Sequence, residues 1–596
     1  MELIKRGHEV TVITPDPYFK NNTAPKNLRE IDVHDISYKI MKDFIPTVTG
    51  SDDDLINQVV TIAGMIIDIL EKQMKVKDVH DLIIDKKRPF DLILLEALFV
   101  PLLGFTHIFK APTVLVSSFG PFIGSYEIMG APTHPTVYHN MFRQRLYNLN
   151  LWEKFTELCK HFRIRYIFSS REENYNKQIK SIFGSDTPPL SVLKNNVDLL
   201  LLNVNPIWEG NHPVPPNVIH MGGLHQKPPK ELPKDLQQYL DASQNGVIYF
   251  SFGTNVPPSA LSQEKFKIFE NVFSQLPYNV IWKWDSNVKS VKSKNIIIHK
   301  WLPQSDLLRH PNVKLFITQG GLQSTDESIT AGVPLIGIPM LADQWYNVEK
   351  YVYHKIGIKL SLEKLTENQL KNAIIEVIED KSYRENIARL RSLMQDQPQA
   401  PLDRALWWIE YVLRHGGAKH LRSPAANMSW IEYYELELVF ILLCSILIFI
   451  GLITFLIKYS ISNASKKELA RDHKEKDKNR NDGVIVAVYD FQAVMQVPKG
   501  QVFLFFYKSR INCLNFTISD LSATDVICYL WYETEGKRGA VEIGSCVLKY
   551  IDTLLDKNPD KDIDIVFYSD NCCGQQKINI YFLLMLMLLS LNELRR

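Results

Sequence analysis

Cysteine is scarce in the part of this chain that would most need it. Of seven cysteines in 596 residues, only Cys159 precedes the long apolar run near residue 440. Cys444 lies inside that run, and the other five follow it. One cysteine closes no intrachain disulfide, so a part exposed to an oxidising compartment must be held by core packing. Zinc-ligand spacing is lacking too: Cys572 and Cys573 are adjacent, with no second pair. Neither sign of charge is in excess. With 68 Lys and Arg against 66 Asp and Glu, the net charge is +2, which excludes whole-molecule steering toward nucleic acid or acidic substrates. The N-terminus, Met1-Glu2-Leu3-Ile4-Lys5-Arg6-Gly7-His8, lacks an apolar core of signal-peptide length. It reads as the last turn of a helix closed by Gly7, with a strand over 10–13. A domain that begins at the end of a helix lacks its first strand, so the chain is expected to be truncated.

What is present fits a packed, multi-part protein. A prior of about 150 residues per domain gives three or four units. Apolar content of 45% and charged content of 22% are ordinary for globular protein. Residues 438–457 carry no charge and suffice as a helix to cross a hydrocarbon core of about 30 Å. Such a run is apolar all round, unlike the amphipathic helices of a soluble core. Trp430, Tyr433 and Tyr434 stand just before it as interfacial aromatics. Glu432, Glu435 and Glu437 flank one side; Lys458, Lys466, Lys467, Arg471, Lys474, Lys476, Lys478 and Arg480 follow on the other. The positive-inside rule places residues before 438 in the lumen and those after 457 in the cytosol. The sequons at Asn21 and Asn427 would then be lumenal, and those at Asn463 and Asn515 cytosolic. Acids interleave the basic run, so it reads as a solvated linker and not as a nucleic-acid patch.

The segment before the span divides in two. Residues 1–205 alternate short apolar strands, such as 91–95 and 113–117, with helical stretches. Prolines then crowd the chain at Pro206, Pro213, Pro215, Pro216, Pro228, Pro229 and Pro233, as in an interdomain linker. A second series follows, with strands expected at 246–252, 280–284, 296–299, 315–318 and 334–338. Strand–helix repetition predicts an α/β protein with parallel sheets covered on both faces.

The densest chemical signal lies in this second series. It runs Trp301-Leu302-Pro303-Gln304, Phe316-Ile317-Thr318-Gln319-Gly320-Gly321-Leu322-Gln323-Ser324-Thr325-Asp326-Glu327, Gly332-Val333-Pro334 and Asp343-Gln344. Physically this is a strand, a glycine turn and a helix start, which lets backbone approach a ligand and offers helix N–H groups to a diphosphate. Gly332 and Pro334 end that helix. The same helix start also admits a ligand-free reading, because Ser324 and Glu327 have the spacing of a capping box. The set resembles the signature of the UDP-glycosyltransferases, with insect-like UDP-glucosyl and glucuronosyl enzymes as the nearest pattern. The likeness extends over about 1–460 and includes Arg6-Gly7-His8-Glu9-Val10-Thr11-Val12, Ser251-Phe252-Gly253-Thr254 and the terminal anchor.

The resemblance implies a GT-B fold, two Rossmann-like domains facing a cleft, and inverting transfer from a UDP-sugar without a metal or other cofactor. Trp301 would stack on uracil, Gln304 would bond its edge, and Glu327 would hold the ribose. Ser251, Gly253, Thr254, Gln319, Gly321 and Ser324 would surround the diphosphate, and Asp343 with Gln344 would read the sugar hydroxyls. Gln319 stands where many relatives have His; it donates a hydrogen bond but carries no charge, so leaving-group stabilisation falls to the helix dipole and amides. Transfer to a hydroxyl needs a base. The family's base is a His after the first strand, oriented by an acid, and Glu96 occupies the acid's place. The base itself would precede Met1. His8 is read as structural, and His134 and His139, after the loop from Gly130 to Pro135, as pocket or surface residues. Asp52-Asp53-Asp54 reads as a solvated acidic loop.

The expected division is 1–205 acceptor domain, 206–435 UDP-sugar domain, 436–458 membrane helix, 459–483 basic linker and 484–596 a small α/β tail. Val488-Tyr489-Asp490-Phe491-Gln492, Cys528-Tyr529-Leu530-Trp531, Arg538-Gly539-Ala540 and the run from Phe567 to Gln576 make the tail resemble transposon-derived, RNase H-like fragments. Asp490 and Asp570 are its candidate metal-binding acids, and it is expected to be an inactive relic or a gene-model fusion. The apolar stretch 581–591 is too short for a second span. Expected partners are a UDP-sugar, a small lipophilic acceptor, the lipid bilayer and, as an open alternative, a second copy of the chain, with no nucleic acid for the transferase part. The expected location is the endoplasmic reticulum membrane. Competing readings are a pseudoenzyme that binds nucleotide sugar without transfer, and a nucleic-acid enzyme represented by the tail.

Overall fold

The computed structural model describes residues 1–19, 23–48, 55–85, 89–254, 261–284, 291, 293–479, 482–491, 495–497, 511–521, 523, 525–532, 540–559, 561 and 563–569. Asn21, the acidic run 52–54, Arg480, Arg538 with Gly539, the stretch from Asp570 to Gln576 and the apolar run 581–591 lie outside them. The chain divides into two compact units, Met1–Leu436 and Glu437–Arg596.

In the first unit, Gly7 closes the opening helix with φ +92° and its N–H reaches the Ile4 carbonyl at 3.0 Å. Strand β1 (Val10–Thr14) follows and pairs in parallel with β2 (Leu28–Asp32). A separate parallel sheet holds β3 (Ile93–Glu96), β4 (Thr113–Ser117), β5 (Val197–Leu202) and β6 (Val218–His220) in that order. One Rossmann-like sheet was expected here; the described strands form two. Ile31 of β2 nevertheless packs in the same cluster as Ile93, Leu95 and Leu200. Strand β5 is buried at all six positions, as a strand covered on both faces must be. Its one carboxylate, Asp198, is satisfied by the amides of Thr113 at 2.9 Å and Ala418 at 2.7 Å.

Two features move the expected domain boundary. The proline-rich segment contributes β6 to the β3–β6 sheet, so this half extends past 205 to at least His220. Further on, the helix Pro401–His415 returns to it: Ala405, Ile409 and Val412 pack with Val114, Leu199, Leu201 and Ile219. His8 Nε2 lies 3.4 Å from Glu410 Oε1 on this helix, and Arg6 Nη1 donates to Glu410 Oε2 at 3.0 Å.

The third sheet of this unit contains β7 (Val247–Ser251), β8 (Asn279–Lys283), β9 (Ile296–His299), β10 (Val313–Thr318), β11 (Leu335–Gly337) and β12 (Gly357–Lys359). Its order is β12-β11-β10-β7-β8-β9, and every pairing is parallel. From β7 the chain winds outward through β8 and β9, then crosses back to β10 and winds the other way. Beside β7 and β10 the crossover helices therefore diverge. This is the topological switch point at which open α/β sheets bind ligands, off the carboxyl ends of the strands.

In the second unit, one helix runs over Leu436–Lys478. Its most apolar window has a mean hydropathy of 3.1 and none of it is buried. By length and composition it can cross a membrane. At 1.5 Å per residue it is about 65 Å long, so the expected linker is, as far as Lys478, a continuation of the helix. Beyond it, β13 (Ile485–Phe491), β14 (Met495–Val497), β15 (Ile511–Asp520), β16 (Val526–Tyr532) and β17 (Ile565–Ser569) form a mixed sheet. β13, β14 and β16 run antiparallel to β15, and β17 is parallel to β13. The helix Ala540–Lys557 lies between β16 and β17 in sequence, and its Ile543, Val547 and Tyr550 pack on Phe516 and Ile518. The sequon residue Asn515 is 8% exposed inside β15, so packing closes that site to a glycan whichever side of a membrane it faces.

Candidate functional site

The register of β7 on β10 sets Ser251 opposite Thr318, and the two chain segments leaving these strands meet over the switch point. Ser251 Oγ accepts from the Gly253 amide at 3.2 Å. Gly253 has φ +74°, and a Cβ there would lie 2.6 Å from Gln319 Nε2. The Gln319 amide therefore sits against the Ser-Phe-Gly-Thr loop. It is 8% exposed and its Oε1 is buried without a partner among the described residues. Thr254 comes to the same place through Lys283 at the end of β8, whose ammonium donates to the Gly253 carbonyl at 3.1 Å and to Thr254 Oγ1 at 3.4 Å. Lys283 carries no sequence signal beyond ending a strand, yet its ammonium bonds this loop directly.

Gly321 is the N-cap of the helix Leu322–Ala331 and, having no side chain, makes no cap bond of its own; the Leu322 N–H is met by the Asp343 carboxylate. Ser324 is therefore inside the helix at its third position, and the expected Ser324–Glu327 capping box does not form. Both residues instead bind Gln304, whose Nε2 donates to Ser324 Oγ at 2.9 Å and to Glu327 Oε2 at 2.7 Å. Gln304 Oε1 accepts from Tyr249 at 3.0 Å. The Gln304 amide is thus committed to the carboxylate expected to hold ribose, and its expected contact with uracil would have to compete with these bonds. Burial raises the Glu327 pKa against the lowering effect of Gln304. Trp301 stands outside the core at 73% exposure. Gly332 ends the helix with φ +73°.

Asp343 and Gln344 form the far side. Asp343 is the N-cap of Gln344–Tyr353, and Ala342 before it adopts a left-handed φ of +49°, a conformation that costs a non-glycine residue about 1–2 kcal/mol. Burial pushes the Asp343 carboxyl up to about 6; the Asn347 amide and the Leu322 N–H oppose that rise. Gln344 Oε1 accepts from the amides of Met340 and Leu341, both at 2.8 Å, which leaves its NH₂ as the group to offer a ligand.

Glu96 lies apart from these residues in sequence, at the carboxyl end of β3. Its carboxylate accepts from Ser118 Oγ at 2.9 Å and from the Ser118 amide at 3.5 Å, and burial raises its pKa. Among the described residues no histidine bonds it. His134 Nδ1 instead accepts from the amides of Thr136 and Val137 in its own loop. His139 is driven down to about 4 by burial, and both histidines line a small cavity with Tyr126, His161 and His212.

Two glycine turns, a helix N-terminus, a glutamine-held carboxylate and an acid–amide pair thus come together at the switch point, where open α/β sheets bind ligands. The profile described as UDP-glucoronosyl and UDP-glucosyl transferase matches residues 1–470, and the chain belongs to that family. It is 33% identical over 464 residues to an ecdysteroid UDP-glucosyltransferase of Spodoptera littoralis nuclear polyhedrosis virus, covering 74% of this chain and 90% of that protein. It is 30% identical to UDP-glucosyltransferase 2 of Dactylopius coccus, covering 78% and 90%. For human UDP-glucuronosyltransferase 2B7 the figures are 31%, 74% and 86%. Among solved structures it is similar to Os79 from O. sativa in complex with UDP, with TM-score 0.45 and 17% identity, covering 70% of this chain and 96% of that one.

Proposed function

We propose that this chain transfers a hexosyl group from a UDP-sugar to the hydroxyl of a small lipophilic acceptor, with inversion and without a metal, in a GT-B arrangement held at the endoplasmic reticulum membrane by the helix Leu436–Lys478, with the transferase part lumenal. The observation that carries the reading is the convergence of Gly253, Gln319 and the glycine-capped helix start at Gly321 on one switch point, with Glu327 on that helix and the Asp343 carboxylate at its first N–H. In this reading Trp301 stacks on uracil, Glu327 takes the ribose hydroxyls, and the Gly321 helix end with Ser251, Thr254 and Gln319 receives the diphosphate. The Asp343 carboxylate and the Gln344 NH₂ accept from and donate to neighbouring sugar hydroxyls. The acceptor oxygen displaces UDP at the anomeric carbon in a single step. Its proton must pass to a base, for which Glu96 is the orienting acid. As UDP departs, the charge on its phosphate is met by helix amides and the Gln319 dipole.

A second reading, a nucleotide-sugar binder without turnover, is favoured by one observation: the Glu96 carboxylate is bonded to Ser118 and not to an imidazole. Two measurements on the full chain in detergent separate the readings. Calorimetry with UDP reports the site, and sugar transfer to a panel of phenolic and steroid acceptors reports chemistry. Binding with turnover supports transfer, binding alone supports the second reading, and a folded chain that binds no UDP sinks both. For the tail, the sheet order β16-β15-β13-β17, with a helix leading into β17, supports an RNase H-like relic.

Glu327→Ala should weaken UDP roughly 10- to 100-fold, the worth of hydrogen bonds to a charged group. It should also erase the preference for UDP over 2′-deoxy-UDP. If the variant loses affinity for both nucleotides equally, the carboxylate does not read the ribose.

A further inference from the structure

Asn347 lies one helical turn beyond Asp343 on Gln344–Tyr353, on the same face. It is 1% exposed, and both its amide hydrogens and its oxygen are engaged. Nδ2 donates to Asp343 Oδ2 at 2.8 Å and to the Gly320 carbonyl at 2.9 Å. Oδ1 accepts from the indole N–H of Trp208 at 3.0 Å. One amide thus joins the carboxylate on one side of the site, the first glycine of the diphosphate turn, and Trp208 on Pro206–Glu209, the segment leading from the β3–β6 sheet.

We propose that Asn347 is a positioning residue: it locks the Asp343 carboxylate in one rotamer relative to the Gly320–Gly321 turn, and so fixes where the sugar sits with respect to the diphosphate. The inference rests on reading Asp343 as the sugar-facing acid. No other side chain of this length fills the role. Aspartate lacks both donors and would set a second carboxylate against Asp343, and alanine supplies neither donor nor acceptor. Trp208 orients the amide, because an indole N–H can only donate; its bond to Oδ1 forces both amide hydrogens toward Asp343 and Gly320. An asparagine that merely filled the core would contribute to stability and to every ligand alike. An asparagine that positions Asp343 contributes to the sugar alone.

The test compares UDP with UDP-glucose and UDP-glucuronate by calorimetry on the full chain in detergent, taking whichever nucleotide sugar the parent binds more tightly. Asn347→Ala should lower affinity for that nucleotide sugar roughly 10- to 100-fold and leave UDP within about twofold. Trp208→Phe, which keeps the buried ring and removes only the N–H, should shift the same ratio in the same direction by a smaller factor, and it decides the matter if Asn347→Ala does not fold. Equal losses for UDP and nucleotide sugar in a folded variant, or an unchanged ratio, overturn the proposal. Asp343→Ala serves as the reference. If it too leaves the ratio unchanged, the sugar-reading role assigned to Asp343 fails. If it collapses the ratio while the Asn347 and Trp208 variants do not, only the positioning role fails.

Discussion

Asp326→Asn is expected to stabilise the protein by roughly 4 kcal/mol above pH 7 and by almost nothing near pH 4. Asp326 is 3% exposed on the helix Leu322–Ala331, and neither carboxylate oxygen has a hydrogen-bond partner. Burial, with the neighbouring Glu327 charge as the second cause, drives its pKa from the ordinary 3.8 up to about 7. An acid whose folded pKa is raised holds its proton in the native state at pH values where the unfolded chain has lost it. Stability therefore falls as pH rises from about 4 to about 7, then levels off. At 1.36 kcal/mol per pKa unit the full cost is about 4 kcal/mol, large beside the usual 0.5–3 kcal/mol of a point change. Asparagine cannot ionise, so its advantage opens over this window. Urea unfolding of parent and variant at pH 5 and pH 8, followed by tryptophan fluorescence, checks it. A difference that is the same at both pH values would show that the Asp326 pKa is not raised in the folded protein.

That residue also marks where sequence reading stops. Asp326 sits in the middle of the signature, between Thr325 and Glu327, and nothing in the string says that it faces inward while Glu327 reaches Gln304. The alternation of apolar strands was legible because periodicity is local, and β7, β9 and β10 lie within two residues of their expected places. Gly332 as a helix stop was legible for the same reason. The three-residue β6 was not: it follows Pro215 and Pro216 and becomes a strand only because β5 offers it an edge. Nor was the return of Pro401–His415 to the β3–β6 sheet, since an amphipathic helix does not announce which sheet will cover its apolar face. Within the site, the glycine turn before a helix start was readable from the string, whereas the roles of Ser251, Gly253, Thr254, Gln319, Gly321 and Ser324 toward a diphosphate came only from the family resemblance. The alternative reading of Ser324 and Glu327 as a capping box does not hold because the helix begins at Leu322, and helix boundaries are fixed by tertiary bonds as much as by propensity. Lys283 and Asn347 escaped because each works through a neighbour distant in sequence or one turn along a helix, and neither belongs to a pattern that chemistry alone singles out.

Gly320→Ala and Gly321→Ala, adjacent and chemically identical, should behave differently. Gly320 holds φ +93°, and a Cβ there would lie 2.5 Å from Val348 Cγ2 and 3.2 Å from the Gln344 carbonyl. The left-handed backbone costs alanine about 1–2 kcal/mol. Val348 is fully buried and cannot swing aside without overpacking that costs about 1–3 kcal/mol more. The loss should be roughly 2–5 kcal/mol, and relief of the clash must push the turn away from Gln344, so UDP affinity should fall at least about 100-fold. Gly321 has φ −63°, and its Cβ would meet only Gln319 Nε2, at 3.8 Å. Alanine there should leave stability within about 1 kcal/mol, yet still weaken UDP, because the new methyl stands at the helix end where the diphosphate is expected to approach. Urea unfolding and calorimetry on both variants give the comparison. If Gly320→Ala unfolds and binds like the parent, the turn does not have this shape. If Gly321→Ala binds UDP unchanged, the phosphates do not approach that helix end.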